Sequence, residues 1–184
     1  MSFDVEAFVE RNYEVGGVSE SFSGSDLYIV VHPGFGRENH EYRELGITEE
    51  DYFWYSMRLW TEFERVADSC FDIAVLYEAE TDYSREFLGK YAGEVDHWFE
   101  TVRGGSKLLY RNADEFIDLV TSVDEGSKAV IAGEHNNLCE GQARQIVNYL
   151  SDTFDLSVDI ESGVTFPEKP LERDENRNLR FADH

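Results

Sequence analysis

The chain has 184 residues, enough for one domain with a sizeable core, and 41% of them are hydrophobic and 14% aromatic, as a globular fold requires. It carries 39 Asp and Glu against 16 Lys and Arg, a net charge of −23, which excludes the basic footprint that nonspecific nucleic-acid binding needs. No apolar run is longer than a strand, so no membrane-spanning helix and no membrane partner are expected.

In chain order, the acidic start MSFDVEAFVERNYE lacks the basic and apolar stretches of a signal peptide, and Phe3 to Tyr13 reads as a short helix. Residues 1–25 are expected to be this helix and a linker through Gly16, Gly17 and SESFSGSD, ahead of an α/β domain over 26–166. LYIVV (27–31) is a continuous apolar run, the pattern of a strand buried on both faces, and HPGFG (32–36) breaks it. Thr48 opens a helix with Glu49, Glu50 and Asp51 in its first turn, and Phe53, Met57, Trp60, Phe63 and Ala67 predict its core stripe. Trp54 and Tyr55 flank that stripe and suggest a subunit contact, hence a homo-oligomer.

FDIAVLY (71–77) predicts a second buried strand, and Tyr83 to Val102 a helix with Leu88, Tyr91, Val95, Trp98 and Val102 on one face. KLLY (107–110) reads as a short strand, Ala113 to Val123 as a helix, KAVIAG (128–133) as a strand and Leu138 to Asp152 as a helix. LSVDI (156–160) and VTF (164–166) are the last expected strands, followed by a polar tail over 167–184 whose Leu171, Leu179 and Phe181 can dock on a neighbouring subunit. Strands alternating with helices predict a three-layer α/β fold. It has a mostly parallel sheet of five to six strands with helices on both faces.

The acids are spread along the whole chain, and Arg outnumbers Lys 12 to 4. Self-repulsion of this size destabilises a compact state unless salt screens it, and the Debye length falls to about 3 Å near 1 M. In composition the chain resembles proteins of salt-accumulating haloarchaea or their viruses; an acidic partner-binding surface is the alternative. Two cysteines, Cys70 and Cys139, form neither a disulfide framework nor a zinc-site spacing, and a reducing cytoplasm is the expected compartment.

Ligands of such sheets bind beyond the carboxyl ends of the strands. That rule selects 32–37, 78–82, 111–114 and 134–140. In the last segment Asn137 can cap the helix, with Glu140 reaching back as in a capping box. Cys139 then lies in the first turn, where unpaired backbone N–H groups favour a thiolate, the state a nucleophile needs. It also shares a helical stripe with Ala143, Ile146 and Leu150, so a place in the core is the competing reading. His32 can act as base for a neighbouring thiolate or simply cap a turn before Pro33. HPGFGR can also cradle an anion, though it lacks the phosphate-loop Lys-Ser/Thr.

LYIVV, KLLYR and VIAGEHNNLC resemble segments of the isochorismatase-like cysteine hydrolases. In that family a strand ends in Gly and the nucleophilic Cys follows six residues later at a helix start, as Gly133 and Cys139 do here. The family's catalytic Asp position is His32, and at its Lys position Lys107 comes early and Arg111 late in the strand.

The resemblance implies hydrolysis of a small amide or acyl-type substrate through a Cys139 thioester. His32 would be the base, backbone N–H groups near Asn137 the oxyanion site, and Arg111 with His135, Asn136 and Asn137 the substrate contacts. No cofactor is expected. Two other classes remain open. One is a noncatalytic binding or assembly protein that kept the fold. The other is a metal-dependent nuclease-like domain using His32, His135, Glu78, Asp82 and Glu134.

Overall fold

The computed structural model describes residues 3–12, 26–38, 40–78, 83–102, 109–110, 112–136 and 138–182. In chain order the helices are α1 (Val5–Asn12), α2 (His40–Glu44), α3 (Glu49–Ala67), α4 (Tyr83–Leu88), α5 (Ala113–Thr121) and α6 (Cys139–Phe154). The strands are β1 (Asp26–Val31), β2 (Phe71–Glu78), β3 (His97–Val102), β4 (Leu109–Tyr110), β5 (Lys128–Glu134), β6 (Asp159–Phe166), β7 (Leu171–Arg173) and β8 (Leu179–Phe181). The main sheet runs β4-β3-β2-β1-β5-β6. Five of its strands are parallel, and the two-residue β4 pairs antiparallel at the edge. The three-layer α/β fold is therefore as expected.

Why the layers form is visible in β1. Successive side chains of a strand point to opposite faces. Leu27, Ile29 and Val31 join one core with α1, α5 and α6, while Tyr28 and Val30 join the other with α2, α3 and α4. All five are essentially inaccessible, which explains an uninterrupted apolar run with no polar alternation. Complete burial of each such side chain contributes about 1.5–3 kcal/mol before entropy is counted. α3 starts as its sequence predicts. The Thr48 hydroxyl accepts from Asp51 N at 3.1 Å and the Asp51 carboxylate accepts from Thr48 N at 2.8 Å.

The chain moves outward from β1 through β2 and β3 by way of α3 and α4, then returns through α5 to β5 on the other side of β1. The helices change faces at that return, so β1 and β5 flank the switch point of the sheet, the place where open α/β sheets bind ligands. The two strands meet closely there. Gly133 pairs with Val31, has φ +122°, and a Cβ on it would sit 2.6 Å from Val31 N and against the Val31 carbonyl. Only glycine fits both the dihedral and the space.

Several expectations are corrected. The helix expected over Tyr83 to Val102 stops at Leu88, gives way to a 3₁₀ segment over Gly89–Glu94, and ends in strand β3. Gly89, with φ +53°, breaks the helical run, and Trp98 lies in the strand beside Val75. The inner face of α3 is Tyr55, Ser56, Leu59, Phe63 and Val66. Phe53 and Met57, placed on the stripe by their spacing, are exposed, and Tyr55, placed on the flank, is fully buried. Apolar residues surround this helix, so periodicity alone does not choose its face.

Asp159 and Ile160 of LSVDI and all of VTF belong to one strand, β6, while Leu156 to Val158 lie before it. Residues 167–182 pack as an antiparallel β7–β8 hairpin, and Leu171 (0% exposed) and Leu179 bury in the chain's own core. The tail is thus part of the domain's packing, with no neighbouring subunit needed to cover those leucines. α1 likewise packs on α5 and α6 through Phe8 and Val9. The linker glycines lie outside the described residues.

Candidate functional site

Three side chains converge at the switch point. His32 follows β1, His135 follows β5, and Cys139 is the first residue of α6. One donor atom from each, a ring nitrogen or the sulfur, lies within 4.8 Å of the others. Cys139 Sγ is 3.5 Å from His135 Nδ1. Both histidines are buried and Cys139 is half-buried. His135 is walled by aromatic rings, with Phe35 at 4.7 Å and Tyr42 at 5.7 Å between centroids.

The backbone holds both imidazoles in an uncommon conformation. His32 has φ +48° and His135 φ +61°, in the left-handed region that non-glycine residues rarely enter. Each such residue costs about 1–3 kcal/mol and persists only where its surroundings over-determine it. At His32 the holding contacts can be followed. Its backbone N donates to the Leu76 carbonyl at 2.8 Å, and its Nε2 meets Thr101 Oγ1 at 2.8 Å. The Thr101 hydroxyl hydrogen goes to the Tyr77 carbonyl at 3.0 Å. A hydroxyl has one hydrogen, so Thr101 accepts from His32 Nε2–H, and Nδ1 is the nitrogen with the lone pair.

At His135 and the turn after β1 the organiser is Glu134, fully buried at the end of β5. Its Oε1 accepts from Gly34 N and the Tyr52 hydroxyl, each at 2.8 Å, and its Oε2 accepts from Gly36 N at 2.6 Å. One carboxylate therefore ties HPGFG to β5 and to α3. Gly36 is required by this approach, since a Cβ there would lie 2.6 Å from Glu134 Oε2. The glycines expected to cradle a phosphate instead present their amides to a carboxylate of the same chain.

Burial sets the protonation of the cluster. Loss of solvent lowers His32 to about 3, with His135 adding to the effect, and lowers His135 to about 4, with Arg173 adding. Both imidazoles are neutral near pH 7. Burial pushes the Cys139 thiol up to about 12, Arg173 opposing and Glu78 reinforcing. This corrects the expectation that the helix start makes Cys139 a ready thiolate. Burial also pushes Glu134 to about 8 against its three donors.

The other expected residues fall as follows. α6 has Leu138 as its N-cap with no side-chain bond, and Glu140 pairs with Arg144 at 3.0 Å; the Asn137 cap expected from the sequence falls outside the described residues. Asn136 directs its side-chain amide to the Pro167 and Glu168 carbonyls at 3.2 and 3.0 Å, and its carbonyl accepts from Leu171 N at 3.0 Å, anchoring the β7–β8 hairpin. Asn137, Arg111, Lys107 and Asp82 lie outside the described residues. Glu134 was weighed as a metal neighbour, yet both its oxygens are engaged. Thr101, Tyr52 and Arg173 were not anticipated. Arg173 reaches the cluster's surroundings from the hairpin and pairs with Glu41 at 3.0 Å. No local motif marks them, because Thr101 meets His32 across 69 residues of sequence, Tyr52 meets Glu134 across 82 and Arg173 meets Glu41 across 132.

A cleft of about 550 Å³ opens beside the cluster, lined among others by Arg37, Arg43, Thr48, Trp60 and Phe87. Tyr42 is the shared wall. It lines the cleft and packs edge-on against His135. Compared with protein-family models, curated proteins and solved structures, the chain matches none.

Proposed function

We propose that this chain is a hydrolase for a small amide or acyl-type substrate, with its reaction centre at the His32–His135–Cys139 cluster. The observation that carries the reading is the convergence of the three donor atoms within 4.8 Å at the switch point, on two backbone positions of strained dihedral. Strain retained at a ligand-binding position argues for a task there. The reading extends the resemblance to isochorismatase-like hydrolases carried by Gly133 and Cys139.

In the reaction, the oxygen of a water bonds to the acyl carbon and the C–N bond breaks. The departing amine takes up the water's proton. The cluster supplies nitrogen and sulfur lone pairs to activate that water. Direct attack by sulfur is the weaker route, since burial holds the thiol proton to about 12. Arg37 and Arg43 in the neighbouring cleft suit a substrate with an anionic group.

The test is turnover of a panel of small amides and esters in molar salt. Cys139→Ala and His135→Ala should each lower kcat/KM by about 100-fold or more, with far-UV circular dichroism unchanged. Full activity in Cys139→Ala sinks the proposal. A noncatalytic binding protein is the second reading, favoured by the exposed Phe53, Trp54 and Met57 on α3. Self-association abolished by Trp54→Glu, with no turnover of any panel member, would favour it.

A further inference from the structure

The same three side chains have the chemistry and geometry of a metal centre. We propose that Nδ1 of His32, the imidazole of His135 and the Cys139 thiolate bind one zinc ion, leaving a fourth position open for water. The inference names what activates the water in the hydrolytic reading, but its binding step stands without that reading.

The first argument is distance. Zinc binds sulfur at about 2.3 Å and imidazole nitrogen at about 2.0–2.1 Å, so tetrahedral ligands of the two kinds lie about 3.6 Å apart. Cys139 Sγ and His135 Nδ1 are 3.5 Å apart. A ring nitrogen of His32 lies within 4.8 Å of a ring nitrogen of His135 and of Cys139 Sγ, a spread that one ion at the centre can bridge with a small side-chain adjustment.

The second argument is the outer contact of His32. A ligating histidine donates its other N–H to a fixed acceptor, which sets the tautomer and the ring plane. Thr101 does this for His32 Nε2, and its own hydroxyl is fixed by the Tyr77 carbonyl. Nδ1 is thereby the free lone pair. The third argument is His135, which is 6% exposed and whose Nε2 makes no hydrogen bond among the described residues. The nitrogen against the sulfur, Nδ1, is the one placed for an ion, and Nε2 lacks the outer acceptor that His32 has in Thr101.

Donor type selects the ion. Two imidazoles and a thiolate suit zinc, whereas magnesium and calcium require oxygen ligands. The buried carboxylate nearest in sequence, Glu134, has both oxygens engaged by Gly34, Gly36 and Tyr52 and is not a ligand. Three protein ligands with one open position is the arrangement of catalytic zinc, in which the ion acidifies its bound water. Binding releases the Cys139 proton to solvent, which balances the conversion of thiol to thiolate.

The experiment uses the full chain, stripped with a chelator and titrated in molar salt with Zn²⁺ alone, then with Co²⁺ as a spectroscopic probe. One equivalent should bind. The Co²⁺ form should show thiolate-to-cobalt charge-transfer absorption and the intense visible bands of a four-coordinate site. Cys139→Ser should abolish the charge-transfer band, and Cys70→Ser should leave it. His32→Ala should weaken Zn²⁺ at least 100-fold. Thr101→Val should weaken it about 10–100-fold, and Thr101→Ser should restore it.

Should a variant fail to fold, the unmutated chain still decides the matter, because binding of one Zn²⁺ should release about one proton, from Cys139, into a weakly buffered solution. Absence of stoichiometric binding, a charge-transfer band that survives Cys139→Ser, or binding without proton release overturns the inference. Hydrolysis by metal-free protein that zinc leaves unchanged removes the zinc and keeps the hydrolase. Tight zinc binding without turnover does the reverse.

Discussion

Replacing Glu134 by Gln tests whether one buried carboxylate positions both strand ends of the site. The carboxylate accepts three hydrogen bonds, two on Oε1 and one on Oε2. A glutamine keeps the shape but offers one acceptor oxygen. In its better orientation that oxygen serves Gly34 N and the Tyr52 hydroxyl, and the amide NH₂ faces Gly36 N. One buried donor then lacks an acceptor, at a cost of about 1–3 kcal/mol. Glu134→Ala deprives all three donors and opens a cavity, and at about 1–3 kcal/mol for each buried donor left unpaired it should destabilise more than the Gln variant. Against a total stability of about 5–15 kcal/mol these are large fractions. At about 2–4 °C per kcal/mol, the Gln variant should melt about 2–12 °C below the parent. The assay is urea and thermal unfolding followed by circular dichroism, with both proteins in the same molar salt. A Gln variant within about 0.5 kcal/mol of the parent would refute the reasoning. Gly34 and Gly36 would then satisfy their amides elsewhere, and Glu134 would not hold the turn that carries His32.

Four further outcomes are expected. Gly133→Ala forces a Cβ against Val31 at φ +122° and should destabilise the fold by about 2–6 kcal/mol, summing backbone strain and overpacking; soluble expression at parental Tm would contradict the close approach of β1 and β5. Tyr55→Phe should be neutral or stabilising by up to about 2 kcal/mol, since the buried Tyr55 hydroxyl has no hydrogen-bond partner among the described residues; a clear loss in urea unfolding would show a partner there. In metal-free protein at pH 8, Cys139 should alkylate far more slowly than exposed Cys70, because a thiol at about 12 leaves a thiolate fraction of about 10⁻⁴. Its rate, followed by mass spectrometry, should climb about tenfold per pH unit toward 12, and equal labelling of both cysteines at neutral pH would contradict its burial. With a net charge of −23, Tm should rise as salt is raised toward 1 M; a Tm independent of salt would mean the acids do not strain the folded state.

How far the site was legible depended on where each residue's partner lies. Thr48 and Asp51 are three residues apart, so their reciprocal cap is written in the local sequence and forms as read. β1, β2 and β5 were legible because burial on both faces demands an unbroken apolar run. The apolar spacing of Tyr83 to Val102 suits one helix, and only the pairing of His97 to Thr101 with β2 makes its last part, His97–Val102, a strand. On α3 the apolar residues surround the axis, and packing against β2 and β6 selected Tyr55 over Phe53. His32 and Cys139 were legible as a strand-end and a helix-start residue, but that their side chains meet within 4.8 Å was not. The protonation state of Cys139 was not legible either, because the helix-start effect is local while the burial that opposes it comes from packing against the core shared by the sheet, α1, α5 and α6.

The sequence by itself determined what short-range physics controls. Apolar runs of strand length, helix starts and glycine breaks dictate alternating strands and helices, and hence a parallel sheet between two helical layers. Composition determined the charge state of the surface. Tertiary structure alone decided which loop ends meet. It placed His32 and His135 just past the ends of adjacent strands, separated by 103 positions in the chain, tied the turn after β1 to β5 through Glu134, bonded His32 to Thr101, and covered Leu171 and Leu179 with the body of the fold. The reason is that a hydrogen bond or buried contact depends on distance in space, and only strand order converts distance along the chain into distance in space.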